Sequence, residues 1–204
     1  YFESKYEYEI IIINDSGKKN LILEKIKNNK KNIYLLNNIT NSGKGYSIRR
    51  GIIKSNGNLI LITDADLATP INEFEKLLKY YNENNKIIIG SRSCNDSDIQ
   101  TKQPIYRIIV GRLYNILIRI TLGLKYNDTQ CGFKLFNSLA LKKIIKYTKS
   151  NGFGIDIELI YYAEKLKYKI REVGVIWSDK KQTSVSVFRD SFIMLIEIFK
   201  LRLK

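Results

Sequence analysis

No histidine occurs among the 204 residues, and there are only two cysteines, one methionine and one tryptophan. Without histidine the chain has no Ser-His-Asp triad, no imidazole general base and no His-ligated metal. Carboxylates, lysine, tyrosine and cysteine are left for acid–base work. Cys94 and Cys131 lack CxxC spacing, so they give neither a redox motif nor a disulfide framework, and they fit a reducing compartment. An uninterrupted membrane span is missing too, because the most apolar long segment, 106–124, is broken by Arg107, Arg112 and Arg119. Acidic residues are the minority, 20 against 35 basic ones, for a formal net charge of +15. Such an excess favours anionic partners, namely nucleic acid, nucleotide phosphates or an anionic membrane. The basic residues are nonetheless scattered in a chain rich in Asn, Lys and Ile throughout, so the charge reads more readily as compositional bias than as a binding device.

The 44% apolar content suits one domain with an appended segment. Tyr1 stands shortly before a strand with no initiating Met, and a further N-terminal piece is expected. Apolar strands at 9–13, 32–36, 59–63 and 86–89 alternate with helical patterns at 18–30, 45–55 and 70–83. Pro70 suits the first turn of the third helix. The second half is more helical, over 104–122, 137–149 and 155–167. A strand at 170–177 and a terminal helix from about 188 follow. This rhythm predicts an α/β fold, a Rossmann-like three-layer α/β/α sandwich around a mainly parallel sheet with a helical C-terminal part. The domain reads as 1–187, followed by an amphipathic basic helix at 188–204.

Asp64-Ala65-Asp66 closes the apolar run 59–63. In open α/β sheets ligands sit beyond the carboxyl ends of strands, and paired carboxylates there suit a hard cation such as Mg²⁺. A solvated surface pair is the competing reading. The loop Asn41-Ser42-Gly43-Lys44-Gly45 opens a helix whose N–H groups and Lys44 attract phosphate, or whose lysine is simply solvated. It is not a Walker A loop, since Gly45 stands where the Ser/Thr would be. Asp128-Thr129-Gln130-Cys131-Gly132-Phe133-Lys134 reads as a turn between helical patterns. Asp156 and Glu158, two apart on a helix, point nearly opposite ways, so they are not an acid–base dyad. Asp156 is the better candidate, because Gly152 and Gly154 open its end of the helix. Arg112 and Arg119 share a helix face, available to an anionic acceptor or merely snorkelling. Phe188, Phe192, Leu195 and Phe199 form a stripe that either packs on the domain or lies on an anionic membrane.

Taken together, IIINDSG (11–17), NSGKGYSIRRG (41–51), DADLATP (64–70), GSR (90–92), DTQCGFKLF (128–136), FGIDIELIYYA (153–163) and VGVIW (173–177) resemble the family-2 glycosyltransferases of GT-A fold, in their order and over nearly the whole chain. The likeness is to the dolichyl- or polyprenyl-phosphate glucosyltransferase branch. It implies inverting transfer of a hexose, glucose from UDP-glucose, to a polyprenyl phosphate on the cytoplasmic face of a membrane, with no nucleic acid as partner. It further implies that Asp15 contacts the nucleotide and Lys44 the donor. Asp64 would hold the ribose or uridine side and join Asp66 in ligating Mg²⁺ or Mn²⁺. Arg92 and Arg107 would meet the acceptor phosphate, Gln130 would line the sugar or metal site, and Asp156 would face the donor sugar, so that Asp66, Asp156 and Gln130 form the catalytic set.

Three features depart from the family pattern. Its opening strand with a Pro-x-x-Asn/Asp-Glu motif is absent. Asn14 replaces the first Asp of a common pair. Gln182-Thr183-Ser184 stand where a Gly-Ser-Lys is usual, removing a lysine for the acceptor phosphate. Alternatives at this level are a GDP-mannose-dependent mannosyltransferase, a transferase acting on soluble glycans, or a basic membrane- or nucleic-acid-binding module.

Overall fold

The computed structural model describes residues 1–101, 103–180 and 187–203. Gln182, Thr183 and Ser184, which stand where a Gly-Ser-Lys is usual, lie outside the described residues.

Strand β1 (Ile10–Asn14) pairs in parallel with β2 (Ile33–Asn37), and α1 (Leu21–Asn29) joins them. The helix begins three residues later than the sequence pattern suggests because the Asn20 side chain accepts the Ile22 and Leu23 N–H groups and caps it there. Next come α2 (Lys44–Lys54), β3 (Leu59–Ile62) and α3 (Glu73–Leu78). The expected 70–83 helix is thus shorter, since the segment from Pro70 opens with tight turns, Glu73 N–H to Pro70 O and Phe74 N–H to Ile71 O. Strands β4 (Ile87–Ser91) and β5 (Asp98–Thr101) lead to the long helix α4 (Ile105–Leu122). Then follow β6 (Lys134–Asn137), α5 (Ser138–Ile144), α6 (Ile155–Lys165), β7 (Ile170–Gly174), β8 (Ile176–Ser178) and α7 (Val187–Arg202).

The central sheet has the order β3-β6-β4-β7. β6 runs antiparallel to both β3 and β4, whereas β4 and β7 are parallel. Three strands therefore share one direction, as expected, with one reversed strand between them that the sequence pattern did not reveal. The DTQCGFKLF segment is not only a turn: its end forms β6. The single expected strand at 170–177 breaks at Val175, and β8 leaves the central sheet to pair with β5. β1 and β3 each end their sheets.

Alternation along β4 sends its side chains into two cores. Ile87 and Ile89 pack with Ile118 of α4, Ile155 and Leu159 of α6, and Met194, Ile198 and Leu201 of α7. Ile88, on the other face, meets Leu135, Phe133, Val173, Phe74 and Leu77. α7 is thus docked on the domain through one face, while Ile193, Ile196 and Phe199 on its other face are exposed. The side chains of Phe188 and Phe192 lie outside the described residues.

Candidate active site

The site lies where the loops after β3 and β4 meet the first turns of α2 and α6. After β3 the chain turns sharply: Leu67 N–H donates to the Asp64 carbonyl, Leu67 itself has a positive φ of 50°, and the Ala68 N–H donates to Asp66 Oδ1 at 3.0 Å. This turn leaves the Asp66 carboxylate exposed. Asp64, just inward, makes an ion pair with Lys44 at 2.9 Å. Thr63, Asp64, Ala68, Thr69, Gly132, Phe133 and Trp177 line a small cleft beside the pair. Gly132 is required there, since a Cβ at that position would stand 1.9 Å from Asp64 Oδ2.

Lys44 is delivered by a loop that is itself fastened. Gly43, with φ of 94°, is the residue before α2, and Asp15 Oδ1 and Oδ2 accept the Ser42 and Gly43 N–H groups at 2.8 Å each. Asn38 also donates to Asp15 Oδ1. Burial alone would raise the Asp15 pKa, but the Asn38, Ser42 and Gly43 donors outweigh it and hold the carboxyl below its ordinary value. Asp15, expected at the nucleotide, is therefore engaged in holding the 41–43 loop. Asn14 is structural, donating to Asn37 Oδ1 and the Lys18 carbonyl.

Behind the cleft is a chain of buried charges. Lys44 reaches a second carboxylate, Asp156 Oδ2, at 2.8 Å, and Asp156 Oδ1 takes the ammonium of Lys134 at 2.5 Å. Lys134 is fully buried and donates also to the Cys131 carbonyl at 2.6 Å. Burial pushes the Asp156 pKa up, but Lys134 and then Lys44 pull it down further, and it stays an anion. Burial works against the Lys44 charge, yet Asp156 and Asp64 together raise its pKa above the usual value. Glu158, one helix face away, accepts the Lys149 and Ser150 N–H groups, so the two acids do separate work as their spacing required.

Arg92 does not stand free. Its Nε and Nη2 bind Asp128 Oδ2 and Oδ1 at 2.6 and 2.8 Å, its backbone N–H adds a third contact, and its guanidinium lies 5.5 Å from the Trp177 ring centre. Asp128 Oδ1 also accepts the Gln130 and Cys131 N–H groups, so it organises the whole turn. Gln130 Nε2 approaches Met194 Sδ of α7 at 3.4 Å. Arg107, in the first turn of α4, has a buried Nε with no hydrogen-bond partner among the described residues. The structure thus brings Lys44, Asp64 and Asp156 into one cluster with Asp66 on the adjoining turn, and it commits Asp15 and Arg92 to internal contacts. Lys134, Asp128 and Gly132 also shape the site, although the sequence motif does not mark them out. A lone lysine in the apolar run Phe133-Lys134-Leu135-Phe136 was the signal for the first.

Among the described residues no cluster of three or more His, Cys, Asp or Glu side chains could hold a metal. The exposed Asp66 carboxylate beside Asp64 instead offers one or two hard oxygen ligands. That suits Mg²⁺ or Mn²⁺, which keep waters and bind substrate phosphates for the remaining positions.

A family model described as glycosyl transferase family 2 matches residues 3–145. The chain belongs to that family. Its relatives include a dolichyl-phosphate beta-glucosyltransferase of Dictyostelium discoideum, 34% identical over 209 residues that cover 98% of this chain and 64% of the relative. The dolichyl-phosphate beta-glucosyltransferase of Homo sapiens is 30% identical over 184 residues, covering 85% of this chain and 57% of the relative. The chain thus spans less than two thirds of either. Among solved structures, glucosyl-3-phosphoglycerate synthase from Mycobacterium tuberculosis, in complex with Mn²⁺, UDP-glucose and glycerol 3-phosphate, superposes with a TM-score of 0.63 at 14% identity, over 93% of this chain and 68% of that one. That likeness is one of fold: this family-2 chain has the GT-A architecture.

Proposed function

We propose that the chain carries the donor site and catalytic residues of an inverting hexosyltransferase that moves glucose from UDP-glucose to a polyprenyl phosphate. The observation that carries this reading is the Asp64–Asp66 pair at the end of β3, one carboxylate paired with Lys44 and the other left exposed by the turn. The names of the Dictyostelium and human relatives support the sugar and the lipid acceptor.

Asp66, with Asp64, would hold Mg²⁺ or Mn²⁺. When bound, the metal supplies charge neutralisation to the departing diphosphate. Lys44 adds a fixed cation on the same side of the cleft and binds the donor phosphates. The acceptor phosphate is already anionic near neutral pH. Its oxygen attacks the anomeric carbon, the C1–O bond to the acceptor forms as the C1–O bond to UDP breaks, and no proton needs removing. The absence of histidine is therefore no obstacle. Arg107, whose buried Nε has no partner among the described residues, is the better acceptor-phosphate ligand, whereas Arg92 braces the 128–131 turn. Gln130, on that turn, is placed to line the sugar side.

The lipid side of the acceptor has a matching surface. Ile105, Tyr106, Ile109, Leu113, Ile116 and Ile120 are all exposed along α4, with Arg112 and Arg119 among them. An apolar stripe with basic residues suits the surface of an anionic membrane, and we place the active site at its cytoplasmic face. No described helix is long and apolar enough to cross a membrane.

The test is label transfer from UDP-glucose or GDP-mannose to a polyprenyl phosphate in liposomes. Lipid-linked label from UDP-glucose is the expected result. Label from GDP-mannose alone would replace the sugar, and label from neither would sink the reading. Gly132→Ala serves as a second check, because its Cβ would force the Asp64 carboxylate out of place. It is expected to weaken Mn²⁺-dependent UDP binding about tenfold or more, with little change in the urea midpoint. Undiminished binding would show that the observed position of Asp64 is not needed.

A further inference from the structure

A wholly buried lysine is costly unless it is paired and hydrogen-bonded. Lys134 is such a residue, and its ammonium has two contacts: Asp156 Oδ1 at 2.5 Å and the Cys131 carbonyl at 2.6 Å. Asp156 passes the contact on to Lys44, and Lys44 passes it on to Asp64. The charges alternate from the core outward: Lys134, Asp156, Lys44, Asp64. We infer that Lys134 is a positioning residue, which through Asp156 fixes the ammonium of Lys44 beside Asp64 for donor binding.

Three observations favour this over a direct role for Asp156 on the sugar. Asp156 is 3% exposed, and each of its oxygens already has an ammonium partner. A first-turn aspartate is favoured by the helix dipole alone, but the dipole does not account for a buried lysine from another element aimed at it. Lys44, finally, is held by two carboxylates, so if Asp64 turns to a cation, Asp156 still anchors it. The contacts join β6, α6, α2 and the loop after β3 at one point, which short-range packing does not require. The inference rests on the cleft being the donor site.

The experiment combines lysine-ammonium NMR with calorimetric titration of UDP in the presence of Mn²⁺. The Lys44 resonance is assigned by its loss in Lys44→Gln. In Lys134→Met the Lys44 ammonium signal is expected to move and to exchange faster with water, and UDP affinity to fall about tenfold or more, as for loss of a charge-assisted contact. An unchanged Lys44 signal, or unchanged UDP affinity, overturns the inference. Should Lys134→Met fail to fold, Lys134→Met/Asp156→Asn leaves no buried charge alone; the same loss of affinity is expected, and wild-type affinity in the double variant overturns the inference. A wild-type chain that binds no UDP counts against the donor reading itself, while the Lys44 signal still reports the Lys134 linkage independently.

Discussion

Asp66→Asn is expected to lower glucosyl transfer by about 10²–10³-fold, the range for removing one group that stabilises developing charge. The reason is local. The Asp66 carboxylate is exposed, and its one hydrogen bond among the described residues, from the Ala68 N–H to Oδ1, is one that an asparagine oxygen can also accept. What the substitution removes is the negative charge that would hold a divalent cation against the diphosphate. Turnover should therefore fall while the thermal midpoint stays near the wild-type value, and raising Mn²⁺ should recover part of the loss. Initial rates and a melting curve on the same preparation check this. Activity within a few-fold of wild type would remove Asp66 from the donor site.

The second large effect is on stability. Asp128→Ala is expected to destabilise the fold by about 3 kcal/mol, the lower end for breaking a buried ion pair, because the Arg92 side chain keeps 30% of its exposure. Asp128 takes both arms of Arg92 and three backbone N–H groups, those of Arg92, Gln130 and Cys131, and alanine offers none of these acceptors. The pair also fixes a pH dependence. Burial pushes the Asp128 carboxyl up, the Arg92 charge and hydrogen bonds more than reverse this, and its pKa falls to about 2. An unfolded aspartate titrates near 3.9. The folded value is the lower one, so this contribution is fully present above about pH 4 and is lost as pH falls toward 2. Urea unfolding of wild type at pH 7 and pH 3 should show the loss, and Asp128→Ala should show a smaller difference between the two. Equal acid sensitivity in both proteins would mean that other carboxylates carry it.

How far the sequence revealed this molecule depends on where each signal resided. Asp64 and Asp66 were legible because a polar pair ended an apolar run, and α4 and α6 because their apolar residues recur over several turns. β6 was hidden: four residues, one of them a lysine, follow a polar turn, and nothing local tells a buried strand from the end of that turn. β5 was hidden as an exposed polar strand without alternation. The charge partners were beyond reach, since Lys134 meets Asp156 22 residues later and Arg92 meets Asp128 36 residues later. That Arg92 pairs with an internal carboxylate follows from packing, which residue type does not reveal. The terminal helix posed packing against membrane as alternatives, yet one face of α7 is docked on the core and the other is exposed.

The most direct test of the central claim is calorimetric titration of the chain with UDP-glucose and, separately, GDP-mannose, each with Mn²⁺ and with chelator. Binding of UDP-glucose in preference to GDP-mannose, lost on chelation, is the expected result. Binding that ignores both the metal and the nucleotide would contradict it.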